Sequence, residues 1–125
     1  MPGQLTVSTI SDGTNSTSAT NAIQGSAKAW VNFNGADGSR RASHNVSSVT
    51  RNGTGDYTVN FTNAMPDANY SVAGIGMTDS VSYTAICQIK GSSALATDSV
   101  RLDYYEYNNA GVKRDPGYCL IAVFR

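Results

Sequence analysis

The sequence predicts an all-β protein, an antiparallel β-sandwich of about seven or eight strands with an extended N-terminal arm. Three observations lead to this fold class. Apolar and polar residues alternate with a period of two along most of the chain, and Gly- and Asn-containing turn signals separate the alternating runs. No window places apolar residues at helical spacing with caps at both ends.

The length and charge of the chain limit its organisation and its partners. A chain of 125 residues is long enough for one domain with one core. Nine basic and nine acidic residues give a net charge of zero, which offers no attraction for a nucleic acid partner. No apolar run approaches the roughly 20 residues that span a bilayer, so membrane insertion is not expected.

The first residues predict an arm and a linker, residues 1–26, ahead of a sandwich domain, residues 27–125. The opening "MPGQLTVSTISDG" has neither the basic start nor the apolar core of a signal peptide, so we expect synthesis and folding in a cytoplasm. Residues 11–26 contain too few apolar groups to offset the entropy of ordering their backbone.

The arm itself, residues 4–10, reads as a short strand. An isolated strand is unstable unless another sheet or chain accepts it, which predicts docking of the arm on a neighbouring protein. The expected docking residues are its apolar ones: Leu5, Val7 and Ile10.

The predicted strands of the sandwich follow in order. "AKAWVNF" (27–33) alternates, and so does "YTVNFT" (57–62), after which Pro66 interrupts the pattern and "YSV" resumes it. "YTAICQI" (83–89) and "VRLDYYEY" (100–107) alternate in the same way. "YCLIAVF" (118–124) is apolar on both faces, which predicts a central or interface strand.

Turn signals separate these strands. "SSALATDS" (92–99) forms at most a single helical turn. The turn-forming groups are Asp12-Gly13, Asn34-Gly35, Asp37-Gly38, Asn52-Gly53, Asn108-Asn109 and Asp115-Pro116-Gly117.

No set of residues has the spacing that catalysis or metal binding requires. His44 is the only histidine, and we expect it at a solvated strand edge. Carboxylates occur singly in the sequence, and Asp103 and Glu106 fall on opposite faces of one strand because their separation is odd. The sequence therefore predicts no enzyme activity, no catalytic residue, no metal and no cofactor.

Two other pairs of residues have more than one possible interpretation. Cys87 and Cys119 are either buried free thiols or one disulfide, since they are too few for a disulfide framework. Arg40 and Arg41 are expected at a solvated strand end rather than in an anion site.

The exposed aromatic residues have three possible roles. Trp30 shares its strand face with polar neighbours, and Tyr105 and Tyr107 share theirs with Arg101. Such groups pack into a core, form a subunit interface, or stack on the C–H faces of a sugar. Trp30, Arg101, Tyr105 and Tyr107 are the candidate interface or glycan contacts.

Three phrases of the sequence resemble a known family. "GSAKAWVNFNG", "RASHNVSSVTRNGTGDYTVNFTNAMPDANYSV" and "CLIAVFR" resemble a module of tail-fibre and other virion proteins of tailed bacteriophages, cyanophages among them, over about residues 25–125. "VNFTNAMPDANYSVAGIGM" is also similar to the strand–Pro–strand pattern of H-type lectins, which are trimeric sandwiches. No sugar-binding residue is carried over from that second likeness.

The resemblance implies a non-enzymatic subunit of the virion that forms a homotrimer. Fibre proteins usually place this module after a long shaft, whereas here it follows a short arm. A tail-fibre subunit attached through the arm to other virion proteins is the leading expectation. The alternatives are a decoration protein that stabilises the phage head and a lectin-like module that binds a host surface glycan. A polysaccharide depolymerase would require a pair of carboxylates.

Overall fold

A computed structural model of the chain describes residues 3–78, 84–91, 95–107 and 111–125. Several sequence predictions lie outside these ranges. They are the start of the "YTAICQI" run at Tyr83, residues 92–94 of the predicted single turn, and the Asn108-Asn109 turn signal.

The described residues form ten strands and one short helix. These elements are β1 (Thr9–Ser11), β2 (Ser16–Ser18), α1 (Ala19–Gly25), β3 (Ala27–Phe33), β4 (Arg40–His44), β5 (Val46–Gly53), β6 (Asp56–Phe61), β7 (Ser71–Met77), β8 (Ala85–Ile89), β9 (Ser99–Glu106) and β10 (Tyr118–Phe124).

Eight of these strands make two four-stranded sheets, which we call sheet I and sheet II. Sheet I has the order β4-β3-β10-β7 and sheet II the order β5-β6-β9-β8. Every neighbouring pair in both sheets is antiparallel. The predicted all-β, antiparallel fold of about eight strands is confirmed.

Alternate residues of each strand fill the space between the two sheets. β3, β9 and β10 each send every second side chain inward, because successive side chains of a strand point to opposite faces. Tyr57 lies at the centre, with its ring centroid 5.1 Å from that of Phe33 and 5.8 Å from that of Tyr104, both in edge-on geometry. The core is therefore one aromatic-centred cluster shared by both sheets.

The prediction of a central strand over residues 118–124 is confirmed. β10 lies between β3 and β7, and Ile121 is the register partner of both Val31 and Gly74. Both faces of β10 are apolar, yet only one of them, carrying Cys119 and Ile121, belongs to the core. The other face points away from the sandwich.

β7 reverses the usual distribution of large and small residues. Gly74 and Gly76 point inward, where a Cβ at Gly74 would lie 2.7 Å from Cys87 Sγ and one at Gly76 would lie 2.9 Å from the Tyr104 ring. The larger side chains of Ile75 and Met77 point outward. The two sheets approach too closely at this edge for any inward side chain on β7 beyond Val72.

Residues 11–26 are structured, which corrects the expectation that they lack regular structure. β1 pairs with β2, and Asp12 closes the turn between them by accepting hydrogen bonds from the N–H groups of Thr14 (2.9 Å) and Asn15 (2.7 Å). The Ser18 hydroxyl then caps α1 by accepting from the N–H of Asn21 at 3.0 Å. Local hydrogen bonds thus order a segment in which no helical residue is buried.

The arm is a strand only over Thr9–Ser11, not over residues 4–10 as predicted. The N–H of Ala19 donates to the carbonyl of Ser8 at 2.9 Å, which fixes the base of the arm against the helix. The Lys28 ammonium group contacts the carbonyl of Ile23 and so ties α1 to β3. β3, the first strand of sheet I along the chain, begins at Ala27.

Both cysteines are free thiols, Cys119 buried and Cys87 partly buried. Of the two alternatives left open by the sequence, the structure has the free thiols. Burial raises the pKa of Cys87 to about 11 and that of Cys119 to about 12.

Candidate functional site

The outward side of sheet I is an apolar surface, which we call the apolar outer face. The alternates of the buried β10 residues and the outward residues of β7 form it together with Trp30 of β3. Its apolar members are Trp30, Ala73, Ile75, Met77, Leu120, Ala122 and Phe124.

This face is open to solvent. Ile75 is 60% exposed, Met77 50% and Trp30 41%. Trp30, Ile75 and Leu120 line a shallow groove of about 390 Å³ whose floor is formed by Ala73 and Ala122. The register explains the groove, because Trp30 and Ala73 flank Ala122 while Ile75 stands beside Leu120.

The charged groups on this side of sheet I are Lys28 on β3, two residues before Trp30, and side chains of the edge strand β4. The Arg41 guanidinium stacks over the Tyr118 ring at 4.0 Å from its centroid. His44 is exposed and is the register partner of Trp30, on the edge strand where the sequence predicts it. β7 and β10 contain no charged residue. Arg40 and Arg41 are exposed on β4, as expected for a strand end.

The outward side of sheet II has the opposite character. Its β5 and β6 positions carry Ser, Thr and Asn side chains joined in a hydrogen-bonded ladder. Asn60 Nδ2 donates to Ser48 Oγ at 3.0 Å and to Thr50 Oγ1 at 3.2 Å, and Asn52 Nδ2 donates to Thr58 Oγ1 at 2.9 Å. This surface is typical of a sheet face that meets water.

An ionic cluster lies beside this ladder on the sheet II surface. Asp56 and Asp103 are register partners on β6 and β9. Arg101 donates to both oxygens of Asp56 at 2.9 Å, and Lys113 Nζ donates to Asp103 Oδ1 at 2.9 Å. Lys90 Nζ also pairs with Asp56. The inference that carboxylates occur singly is therefore wrong in three dimensions, because strand pairing joins two that are distant in sequence.

The cluster neutralises its carboxylates. The hydrogen bonds from Arg101 lower the pKa of Asp56 well below its usual value, despite an opposing effect of burial. A glycosidase acid requires the reverse, a carboxyl group whose pKa is raised so that it holds a proton. Asp56 is thus arranged as a structural ion-pair partner rather than as a proton donor.

The four aromatic-site candidates do not form one site. Arg101, Tyr105 and Tyr107 lie on the sheet II side, whereas Trp30 lies on the opposite side of the sandwich. Arg101 is engaged by Asp56. Tyr105 is fixed by its hydroxyl, which donates to Asp103 Oδ2 at 3.2 Å.

Tyr105 and Tyr107 share a second shallow groove, of about 290 Å³, with Ile86 and Gln88. Lys113 Nζ lies 5.7 Å from the centroid of the Tyr105 ring. The groove combines two aromatic side chains with an amide, which are the groups expected of a glycan contact.

The predicted docking residues of the arm are exposed, although Ile10 lies in β1 and is the register partner of Thr17 in β2. Leu5 is 85% exposed, Val7 41% and Ile10 48%. Sequence reasoning missed the members of the apolar outer face on β7, of which Ile75 is the most exposed. The signal was the alternation of glycine with larger apolar residues in "AGIGM" (73–77), which leaves the larger ones on the side away from the core.

Compared with protein-family models, curated proteins and solved structures, the chain matches none significantly. The likeness to phage virion modules therefore stays a prediction. Within the described ranges, no three His, Cys, Asp or Glu side chains gather as a metal site would require. In that same part of the chain, no helix has the length and apolar character needed to cross a membrane.

Proposed function

We propose that this protein is a non-enzymatic structural subunit that assembles with copies of itself through the apolar outer face of sheet I. The observation that carries the proposal is the contrast between the two outward surfaces. Over β5 and β6 the sheet II surface is a hydrogen-bonded polar ladder, whereas the sheet I surface exposes Trp30, Ile75 and Met77 on one side. An isolated sandwich gains nothing from such an apolar patch, whereas contiguous apolar surface marks a site of association.

The virion setting rests on the resemblance to phage fibre modules. In this proposal three copies of the chain form a tail-fibre-type homotrimer of the phage particle, and the chain is made in the host bacterial cytoplasm. Its arm contacts other virion proteins or sister copies. A capsid decoration protein uses the same kind of face, so the two differ in location and copy number. Electron microscopy of intact particles distinguishes them: many copies on the head favour decoration, and a few at the tail favour a fibre.

The first test of self-association is the mass of the purified chain, measured by light scattering over a wide concentration range. We expect a trimer that persists on dilution and in high salt, because an uncharged interface is not screened. A monomer at every concentration would refute the proposal.

A glycan-binding role is the second candidate, favoured by the Tyr105–Tyr107 groove on the water-facing side of the sandwich. A glycan array with the purified protein tests it. Binding that is lost in Tyr107→Ala and kept in Trp30→Ala would support this groove. The converse pattern would move the contact to sheet I, and absence of binding to every glycan would exclude the candidate.

A further inference from the structure

We propose that the N-terminal arm of one copy lies across the apolar outer face of a neighbouring copy, with Leu5 and Val7 in the groove beside Trp30. This inference rests on the self-association proposed above. It specifies the occupant of the face and the partner of the arm as the same molecule, a second copy of this chain.

The arm and the groove match in chemistry. Residues 3–11 contain no charged side chain, and neither do β7 and β10. Leu5 and Val7 alternate with Thr6 and Ser8, so an extended arm presents one apolar edge and one hydroxyl edge. The apolar edge suits the groove, and the hydroxyl edge suits water.

The dimensions of the arm also match those of the face. Four strands spaced ~4.8 Å apart make a sheet roughly 19 Å wide, and residues 3–8 span roughly 20 Å when extended at ~3.3 Å per residue. One arm therefore crosses the whole of sheet I. The arm does not cover this face in its own chain, since Leu5 is 85% exposed and Ile75 is 60% exposed.

Packing favours a contact between an arm and a sheet I face over a flat contact between two sheet I faces. Sheet I measures roughly 19 by 23 Å, so two opposed faces bury only about 900 Å², below the roughly 1,200 Å² of stable interfaces. Because each face is concave at the groove of about 390 Å³, two opposed grooves would enclose a void. Voids cost dispersion contacts, and inserted arm side chains restore them.

Arm exchange also explains how the copies can form a closed ring. A contact between the arm of one copy and the sheet of the next is heterologous, and heterologous contacts close into rings when the rotation allows it. Three copies linked in this way form a homotrimer without any face meeting itself.

Site-specific cross-linking between two different copies tests the proposal. One copy carries Leu5→Cys and a mass tag, and the other carries Ala73→Cys. The native thiols, Cys87 and Cys119, remain in both. After co-assembly and mild oxidation, we expect a disulfide between the two copies, because a bridge requires Cα atoms within roughly 7 Å. The matched control replaces Ala73→Cys by Thr50→Cys on the sheet II side, where no bridge is expected.

Charge substitution in the arm gives a second, independent measurement on the full chain. Leu5→Asp with Val7→Asp should weaken association at least tenfold, whereas the control pair Thr6→Asp with Ser8→Asp should change it less than threefold. The variants stay folded, because all four side chains are exposed.

The outcomes separate the two proposals. An oligomer that keeps its affinity with the charged arm, or that forms no bridge to residue 73, overturns arm exchange and leaves self-association standing. A chain that is monomeric before any substitution refutes self-association and arm exchange together.

Discussion

Replacing Ile75 by aspartate should dissociate the assembly while leaving the protomer folded. Ile75 is 60% exposed in the protomer, so about two fifths of its surface is already buried there and contributes to the stability of the sandwich itself. Full burial of such a side chain contributes about 1.5–3 kcal/mol, so the substitution should cost the protomer roughly 0.6–1.2 kcal/mol.

The cost to the assembly is larger. The remaining exposed surface of Ile75 would contribute roughly 0.9–1.8 kcal/mol on association, and this is lost. A carboxylate placed in a dry contact adds an effective penalty of several kcal/mol. Together they exceed ~4 kcal/mol per copy, which corresponds to association weakened by at least ~1,000-fold.

Ile86→Asp is the matched control, since Ile86 is an exposed isoleucine on the opposite side of the sandwich. It is 42% exposed, so the same change should destabilise the protomer slightly more than at Ile75, by roughly 0.9–1.7 kcal/mol. Sedimentation and thermal unfolding of both variants give the two numbers separately. If both variants dissociate alike, or neither does, sheet I is not the assembly surface.

Three further predictions concern the sandwich itself. Gly55→Ala should lower the free energy of unfolding by about 2–4 kcal/mol in urea titration, since Gly55 has φ +63° and a Cβ there would lie 2.6 Å from a backbone oxygen. Gly53→Ala, with open space around it, should change it by less than about 1 kcal/mol, and an equal loss would contradict the steric argument. Ion pairing lowers the pKa of Asp56 below its unfolded value of about 3.9, so its contribution is complete above that pH and is lost as the pH falls towards the folded-state value. Asp56→Asn should therefore cost about 2–4 kcal/mol at neutral pH and flatten the acid limb of stability, and an unchanged limb would exclude the cluster as its source. Cys87 and Cys119 should react with a thiol reagent only on unfolding, because burial raises their pKa values, and fast labelling of both thiols in the native protein would contradict this.

The sequence was sufficient for the strands whose alternation is strict. In "AKAWVNF" the apolar set at 29, 31 and 33 is the buried set, and the same holds for 100, 102 and 104 on β9. These strands are readable because burial on one face is the strongest determinant of a period-two pattern. The helix α1 could not be predicted from the apolar pattern, because it buries no residue and depends on a serine cap and a local turn.

The candidate site was harder to predict from the sequence than the strands were, for two physical reasons. The pairing of Asp56 with Asp103 depends on which strands become neighbours, which the local pattern does not specify. On β7 the inward positions are glycines, so the residue that looks like core, Ile75, is the one that faces outward. The side on which β7 packs is set by how closely the sheets approach, and that is a property of the whole fold.

The position of β10 has a consequence for how the chain folds during synthesis. β7 has β10 as its strand neighbour in sheet I, although β7 is made more than forty residues before β10. While the ribosome is still translating, β5 and β6 can pair as a hairpin. β7 has to wait, because its partner β10 has not yet been made. Sheet I is therefore completed last, and the nascent chain must keep β7 from mispairing until residues 118–124 emerge.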